Sequence, residues 1–409
     1  MIKTSHEFRD PIHTFILCSS LERKAIDSPP VQRLRHITQL ATTYLVYPGT
    51  THKRFEHSLG TMHIASEIFD ILTKDEHISL LPNETLQSMP DLLDDKEYWR
   101  KVLRMAALLH DVGHMPFSHG AEELLPDGYN HERLTWDIIH SDHLSSIFDD
   151  MHIKPVHVAK IAIGKKEVSE FRPDVEFTTW ESILSEIVTG EVFGADRIDY
   201  LLRDSYHAGV RYGFFDYKRL INSLRILQAP PEGEDDDDRS WAPAIGIERG
   251  GLHVAASLLW ARYSMFSQVY FHHVRRAYDL HLKEFMHALF PQGIPVEIND
   301  YLAIADNEIL VELRKAAYNT TATGHEPAKR IESRGHFRLA HQVTAVELKK
   351  SPEALKQIYE KPPKNSVQIS LEWTQAKNAQ MTLIFPFSLM TSEALFPREQ
   401  NCHPYALQT

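Results

Sequence analysis

Residues 108–119 read Leu-Leu-His-Asp-Val-Gly-His-Met-Pro-Phe-Ser-His, and what precedes them leaves few ways to fold. Val102, Met105, Ala106 and Leu109 recur at i, i+3, i+4 and i+7, the spacing of a helix with one buried face. That helix delivers His110 and Asp111 at its C-terminal end, where Gly113 and Pro116 stop it. Neighbouring side chains inside a helix point about 100° apart. A His and an Asp side by side therefore converge on one ion most readily where the helix ends. The pair reads as part of a metal site.

Composition narrows the setting. A chain of 409 residues, 43% hydrophobic and 24% charged, suits a large globular protein of roughly two or three domains. Cys18 and Cys402 are too few for a disulfide framework, so a reducing compartment is expected. With no apolar leader and no apolar run of membrane length, the expectation is a cytoplasmic protein without a membrane partner. A formal charge of −12 argues against general nucleic-acid binding through phosphates and leaves a local basic groove open. With 25 histidines, chance His pairs are expected, and only a constellation counts.

Along the chain, residues 1–19 read as extended or loop-like around an Asp10-Pro11 turn. Helices are expected over 20–27, 30–40, 54–73, 155–163, 181–190 and 195–206, with another from His131 capped by Asn130. The longest should span 252–290 and end at Pro291. Residues 43–47, Thr-Tyr-Leu-Val-Tyr, read as β-rich, and 74–96 as a polar linker. Within a β excursion over 210–250, the strands 217–227 and 244–252 flank an acidic Pro-Pro-Glu-Gly-Glu-Asp-Asp-Asp-Asp loop, a solvated hairpin tip. Two more strand candidates fall at 367–373 and 381–387. The fold class is mainly α, a helical core with a small β-hairpin excursion and a mixed α/β C-terminal part. The division expected is a catalytic core over 1–295 and an accessory subdomain over 296–409, packed on the core and involved in oligomerisation.

Four residues stand out as ligands: His57, the pair His110 and Asp111, and Asp196. Two imidazoles and two carboxylates suit Mn, Fe, Co, Ni or Zn with room for water, better than a closed structural zinc site. Taken singly, each reads better as a satisfied polar residue at a helix end.

The segment 110–119 resembles the signature of HD-domain phosphohydrolases, specifically the deoxynucleoside triphosphate triphosphohydrolase branch (the dGTPase and sterile-alpha-motif-and-HD-domain dNTPase type). Other motifs agree in order: Arg-Leu-Arg-His-Ile-Thr-Gln-Leu at 33–40, Tyr-Pro-Gly-Thr-Thr-His-Lys-Arg-Phe-Glu-His at 47–57, Asn-His-Glu at 130–132, Asp-Arg-Ile-Asp-Tyr-Leu-Leu-Arg-Asp at 196–204 and Arg-Arg-Ala-Tyr at 275–278. The match covers most of 8–290.

The resemblance implies an all-α HD core holding a divalent transition metal on His57, His110, Asp111 and Asp196, with Mg a candidate alongside the nucleotide. It implies attack of water at the α-phosphorus of a deoxynucleoside triphosphate and departure of the whole triphosphate from the 5′-oxygen. That oxygen is a poor leaving group and needs a proton donor. By family position the donor is His119, with His114 and His131 lining the α-phosphate. Glu122 and Glu132 orient imidazoles, Glu122 standing where relatives often carry Asp. Arg54, Arg197 and Arg203 are expected on the phosphates, and Gln39, Tyr200, Asp204 and Tyr278 around the deoxyribose. Asp27, Gln32 and Arg35 match an activating guanine-nucleotide site at an assembly interface, so GTP or a second deoxynucleotide and a homo-oligomer (dimer, tetramer or hexamer) are implied partners.

Two departures qualify this. His6, Glu7 and Arg9 stand where relatives carry Lys and Asn near the activator site. Tyr270, His272, His273 and Val274 replace an Arg and a His that face the triphosphate, which leaves His272, His273 or Arg275 to rebuild those contacts. The competing readings are another HD phosphohydrolase (a nucleotide phosphomonoesterase or phosphodiesterase) and a nucleotide-sensing HD module without turnover. Ancillary binding of single-stranded nucleic acid has no distinct motif behind it.

Overall fold

The structure, a computed structural model, describes residues 5–229 and 242–337. It is mainly α, with two small two-stranded antiparallel sheets among the described residues. At its centre lies helix Arg54–Leu72. Phe55, Leu59, Met62, Ile64, Ala65, Ile68 and Phe69 are all buried along it, so apolar residues face every direction and neighbours must surround it. Helices Lys96–Leu109 and Ala195–Ala208 pack against it. Lys96–Leu109 buries Trp99, Val102, Leu103, Met105 and Ala106, and Asp95 caps it by accepting from the Tyr98 N–H at 2.8 Å. Asn130 caps His131–Ile139 as expected, accepting from the Arg133 N–H at 2.8 Å.

Several expectations give way where long-range pairing decides. Residues 5–19 form a hairpin of β1 (Ser5–Asp10) and β2 (Thr14–Ser19), in register from Ser5↔Ser19 to Asp10↔Thr14. The Asp10 carboxylate makes the turn by accepting the N–H groups of Ile12 and His13, each at 2.8 Å. The β-rich run at 43–47 is instead largely a 3-10 turn, Ala41–Leu45. Among the described residues no strand pairs with it, and Thr42 hydrogen-bonds Asp279 at 2.8 Å. The helix expected over 30–40 closes early, as Pro29–Arg33 and a 3-10 turn Leu34–His36, because Thr38 bridges to Lys53. The 74–96 linker holds three short helices, Asp75–Ile78, Asn83–Gln87 and Pro90–Asp94.

Residues 217–227 begin as helix Tyr217–Asn222, capped by Asp216, before β3 (Leu224–Ala229) pairs with β4 (Ala242–Ile247). The acidic loop between them lies outside the described residues, as do the strand candidates at 367–373 and 381–387. The single helix expected over 252–290 is two, Leu252–Met265 and His273–Leu289, joined by a π-helical turn Phe266–Tyr270. That turn carries Tyr270, whose hydroxyl donates to Asp204 at 2.7 Å, and His272 caps the second helix by accepting from the Val274 N–H.

Beyond the boundary expected at 295, helices Ile298–Leu302, Asp306–Tyr318 and His325–Glu332 belong to the same compact unit as the residues before it. Tyr301 donates to the Gly113 carbonyl at 2.7 Å, and Asp306 accepts from the N–H groups of Thr38 (2.7 Å) and Phe117 (2.9 Å). Among the described residues, no helix is long and apolar enough to cross a membrane.

Candidate metal centre

Three helix ends meet at the candidate ligands. His57 sits in the first turn of Arg54–Leu72, His110 and Asp111 follow the C-terminus of Lys96–Leu109, and Asp196 is in the first turn of Ala195–Ala208. A helix C-terminus favours a cation and the two N-termini favour anionic groups beside it. Gly113 lets the His-Asp turn close down on helix His131–Ile139. A Cβ there would stand 2.1 Å from the His131 carbonyl oxygen and 2.4 Å from the Thr135 nitrogen.

His57, His110 and Asp111 each offer a ligand atom, all within 4.8 Å of one another. Asp196 Oδ1 completes the cluster at 3.0 Å from His57 Nε2 and 3.5 Å from His110 Nε2. Both imidazoles turn Nε2 inward. His110 Nδ1–H donates to the Ala107 carbonyl at 2.8 Å, which leaves Nε2 a buried acceptor with no hydrogen-bond partner among the described residues. His57 Nδ1–H donates to Asp199 at 2.9 Å, the carboxylate–imidazole arrangement that orients a metal ligand. Burial alone would strip the His57 ring of its second proton, yet the Asp196 and Asp199 carboxylates push its pKa up to about 10. The cluster thus demands positive charge at Nε2, which a divalent cation supplies in place of a proton. The donor set fits such an ion.

Around this cluster the expected residues take distinct places. His114 Nε2 lies 3.1 Å from Asp111 Oδ1, and its ring stacks on His131 with centroids 4.2 Å apart. Burial, with Arg54 and His131 close by, holds the His114 pKa well below its usual value, so that ring is neutral. His131 behaves oppositely. Burial opposes its charge, but Glu122 at 2.6 Å and Glu132 at 3.2 Å from Nδ1 raise its pKa. Both glutamates thus meet on one imidazole. His119 lies in the 3-10 turn Ser118–Leu124, and its imidazole falls outside what the structure describes.

The arginines divide. Arg54 pairs with Asp111 and donates to Ser118 at 2.6 Å, so it braces a candidate ligand. Arg203, expected on phosphate, is fully buried and holds Asp199 through Nε and Nη2 (2.8 and 2.9 Å) and Asp10 through Nη1 (2.8 Å). An enclosed guanidinium needs such carboxylates, and no phosphate reaches it there. Arg197, beside Asp196, keeps Nε and Nη1 buried without a hydrogen-bond partner among the described residues. Gln39 likewise keeps a buried, unpartnered Oε1.

On the side expected to face a sugar, burial raises the Tyr200 pKa, and its ring lies 6.2 Å from that of Tyr270. Asp204 already accepts from His52 Nε2–H and from the Tyr270 hydroxyl, each at 2.7 Å. Tyr278 has no exposed surface and packs against His336. Gln32 accepts from Arg35 Nε at 2.9 Å, and the exposed Asp27 lies near on the same outer face, paired with Arg23. Asp10, His13, Asp199 and Ser118 escaped the sequence reading. Asp199 had a signal in its i+3 spacing from Asp196, and Asp10 was marked only as a turn residue.

The HD domain family matches residues 54–169, and the HD associated region matches 215–375. A crystal structure of a hypothetical protein from Aquifex aeolicus is similar at 34% identity with a TM-score of 0.68, covering 88% of this chain and 83% of that one. A metal-binding fold of helices with this cluster at its centre defines a hydrolase class, and the chain belongs to the HD-domain family. The uncharacterized protein YwfO of Bacillus subtilis is 33% identical over 68% of this chain and 55% of its own length. Human deoxynucleoside triphosphate triphosphohydrolase SAMHD1 is 31% identical over 56% of this chain and 38% of its own length. The chain spans about half the length of the first curated relatives it matches.

Proposed function

We propose that this phosphohydrolase cleaves deoxynucleoside triphosphates to deoxynucleoside and inorganic triphosphate. The observation that carries the reading is the inward pair of imidazole nitrogens, His57 Nε2 and His110 Nε2, facing Asp111 and Asp196, with Arg197 next in sequence and its Nε and Nη1 without a hydrogen-bond partner among the described residues. Similarity to the SAMHD1 enzymes supports the substrate class. His57, His110, Asp111 and Asp196 would hold a divalent ion, from Mn, Fe, Co, Ni or Zn, which would supply Lewis-acid activation of water and of a phosphoryl oxygen at neutral pH.

The chain's own residues supply the rest. Arg197 binds the phosphate tail, where its two buried nitrogens, Nε and Nη1, gain charge-assisted hydrogen bonds. Neutral His114 lines the α-phosphate and keeps like charge away from Arg54. His131, held by Glu122 and Glu132, keeps a proton beside it. By family position His119 delivers the proton to the leaving 5′-oxygen. Gln39 and Tyr200 face the sugar. GTP or a second deoxynucleotide activates through Asp27, Gln32 and Arg35, and the working assembly is a homo-oligomer.

One observation favours a second reading, an HD phosphohydrolase of other phosphate esters: Asp204 and Tyr278, two of the sugar-side residues, are enclosed by protein groups. Incubation of metal-loaded protein with each deoxynucleoside triphosphate, with and without GTP, followed by ion-exchange separation, decides between them. Deoxynucleoside with intact triphosphate is expected. Monophosphate or diphosphate products, or none with any of these metals, would overturn the proposal.

A further inference from the structure

The carboxylate that orients His57 is itself held from every side. Asp199 Oδ2 accepts from His57 Nδ1–H (2.9 Å) and Arg203 Nε–H (2.8 Å), and Oδ1 accepts from Arg203 Nη2–H (2.9 Å) and His13 Nε2–H (2.8 Å). A carboxylate offers about four lone-pair sites, and all are taken. His13 comes from the N-terminal hairpin, with its side chain fully buried between His63 and Tyr217. Its Nδ1 has no hydrogen-bond partner among the described residues, so the ring proton stands on Nε2, where Asp199 needs a donor. One residue shapes both supports, because Asp10 forms the turn that carries His13 and accepts from Arg203 Nη1 at 2.8 Å. Opposite them, Gly60 makes the room. A Cβ on it would stand 1.9 Å from Asp199 Oδ1 and 2.4 Å from Arg203 Nη2.

We infer that His13 is a positioning residue of the metal centre, acting through Asp199 on the tautomer and orientation of His57, so that the N-terminal hairpin is a built part of the site. The inference rests on His57 as a metal ligand and does not depend on which phosphate ester is cleaved. Partners behind a liganding imidazole are worth about tenfold to hundredfold in metal affinity.

The test titrates Co2+ alone into the metal-stripped full chain, followed by calorimetry and visible absorption, with circular dichroism to verify folding. His13→Leu, which cannot donate, is expected to bind about tenfold to hundredfold more weakly. His13→Gln, whose amide can donate to the same oxygen, is expected to restore affinity and spectrum. Folded His13→Leu protein binding cobalt as wild type does, or equal loss in the Leu and Gln variants, would overturn the inference. Should His13→Leu not fold, Gly60→Ala presses on the same carboxylate from the other side, and wild-type affinity in that variant would overturn it equally. Wild-type protein that binds no cobalt sinks the metal reading together with the inference.

Discussion

A guanidinium with buried, unbonded N–H groups costs free energy until an anion arrives, and Arg197, next in sequence to Asp196, keeps Nε and Nη1 buried without a hydrogen-bond partner among the described residues. Arg197→Ala should therefore raise KM for a nucleoside triphosphate by roughly thirtyfold, the equivalent of about 2 kcal/mol for hydrogen bonds to a charged group, with little change in KM for an uncharged ester. Steady-state kinetics on both substrates checks this. Asp196→Asn keeps the shape of a ligand and removes its charge, so metal content per chain should fall without loss of helical signal. The candidate ligands stand out in the sequence because His110, Asp111, His57 and Asp196 lie in short motifs whose chemistry is local. Asp199 does not, although it lies inside one of those motifs. Its partners His57 and His13 are 142 and 186 residues away, and nothing in a sequence marks one histidine of 25 as its neighbour.

Elements followed the same division. Helices Lys96–Leu109, His131–Ile139, Pro155–Ile163 and Ala195–Ala208 were readable because periodicity and caps are properties of a few neighbouring residues. The N-terminal hairpin was readable as an extended stretch around its Asp10 turn but not as a paired sheet, and the π-turn Phe266–Tyr270 was not readable, since a distant contact, Tyr270 with Asp204, holds it. Segment 298–306 shows the consequence for the site. Tyr301 holds the Gly113 carbonyl between Asp111 and His114, while Arg33, stacked 4.5 Å from the Tyr301 ring, holds the His114 carbonyl at 2.9 Å. Tyr301→Phe leaves a buried acceptor unpaired and should cost about 1–3 kcal/mol in urea unfolding. It should also weaken metal binding by loosening the His-Asp turn.

For the molecule as a whole, buried ion pairs tie the hairpin side to the helical core. Burial alone would raise the Glu22 carboxyl, but two bonds from Arg104 and the cap at Ser19 hold it below its ordinary value. Its folded pKa lies beneath the unfolded one, so this pair stabilises above about pH 4.3 and the contribution fades as pH falls through the folded value. Urea midpoints for the Glu22 pair should be level from pH 7 to 5 and drop below, with Glu22→Gln weaker at pH 7 and less sensitive to acid. The proposed reaction is defined by which bond breaks. Turnover of a deoxynucleoside triphosphate by metal-loaded protein in heavy-oxygen water, with mass spectrometry of the products, reads that directly. Attack at the α-phosphorus predicts unlabelled deoxynucleoside and triphosphate carrying the heavy atom. Label in orthophosphate or pyrophosphate, beside a nucleoside diphosphate or monophosphate, would contradict it.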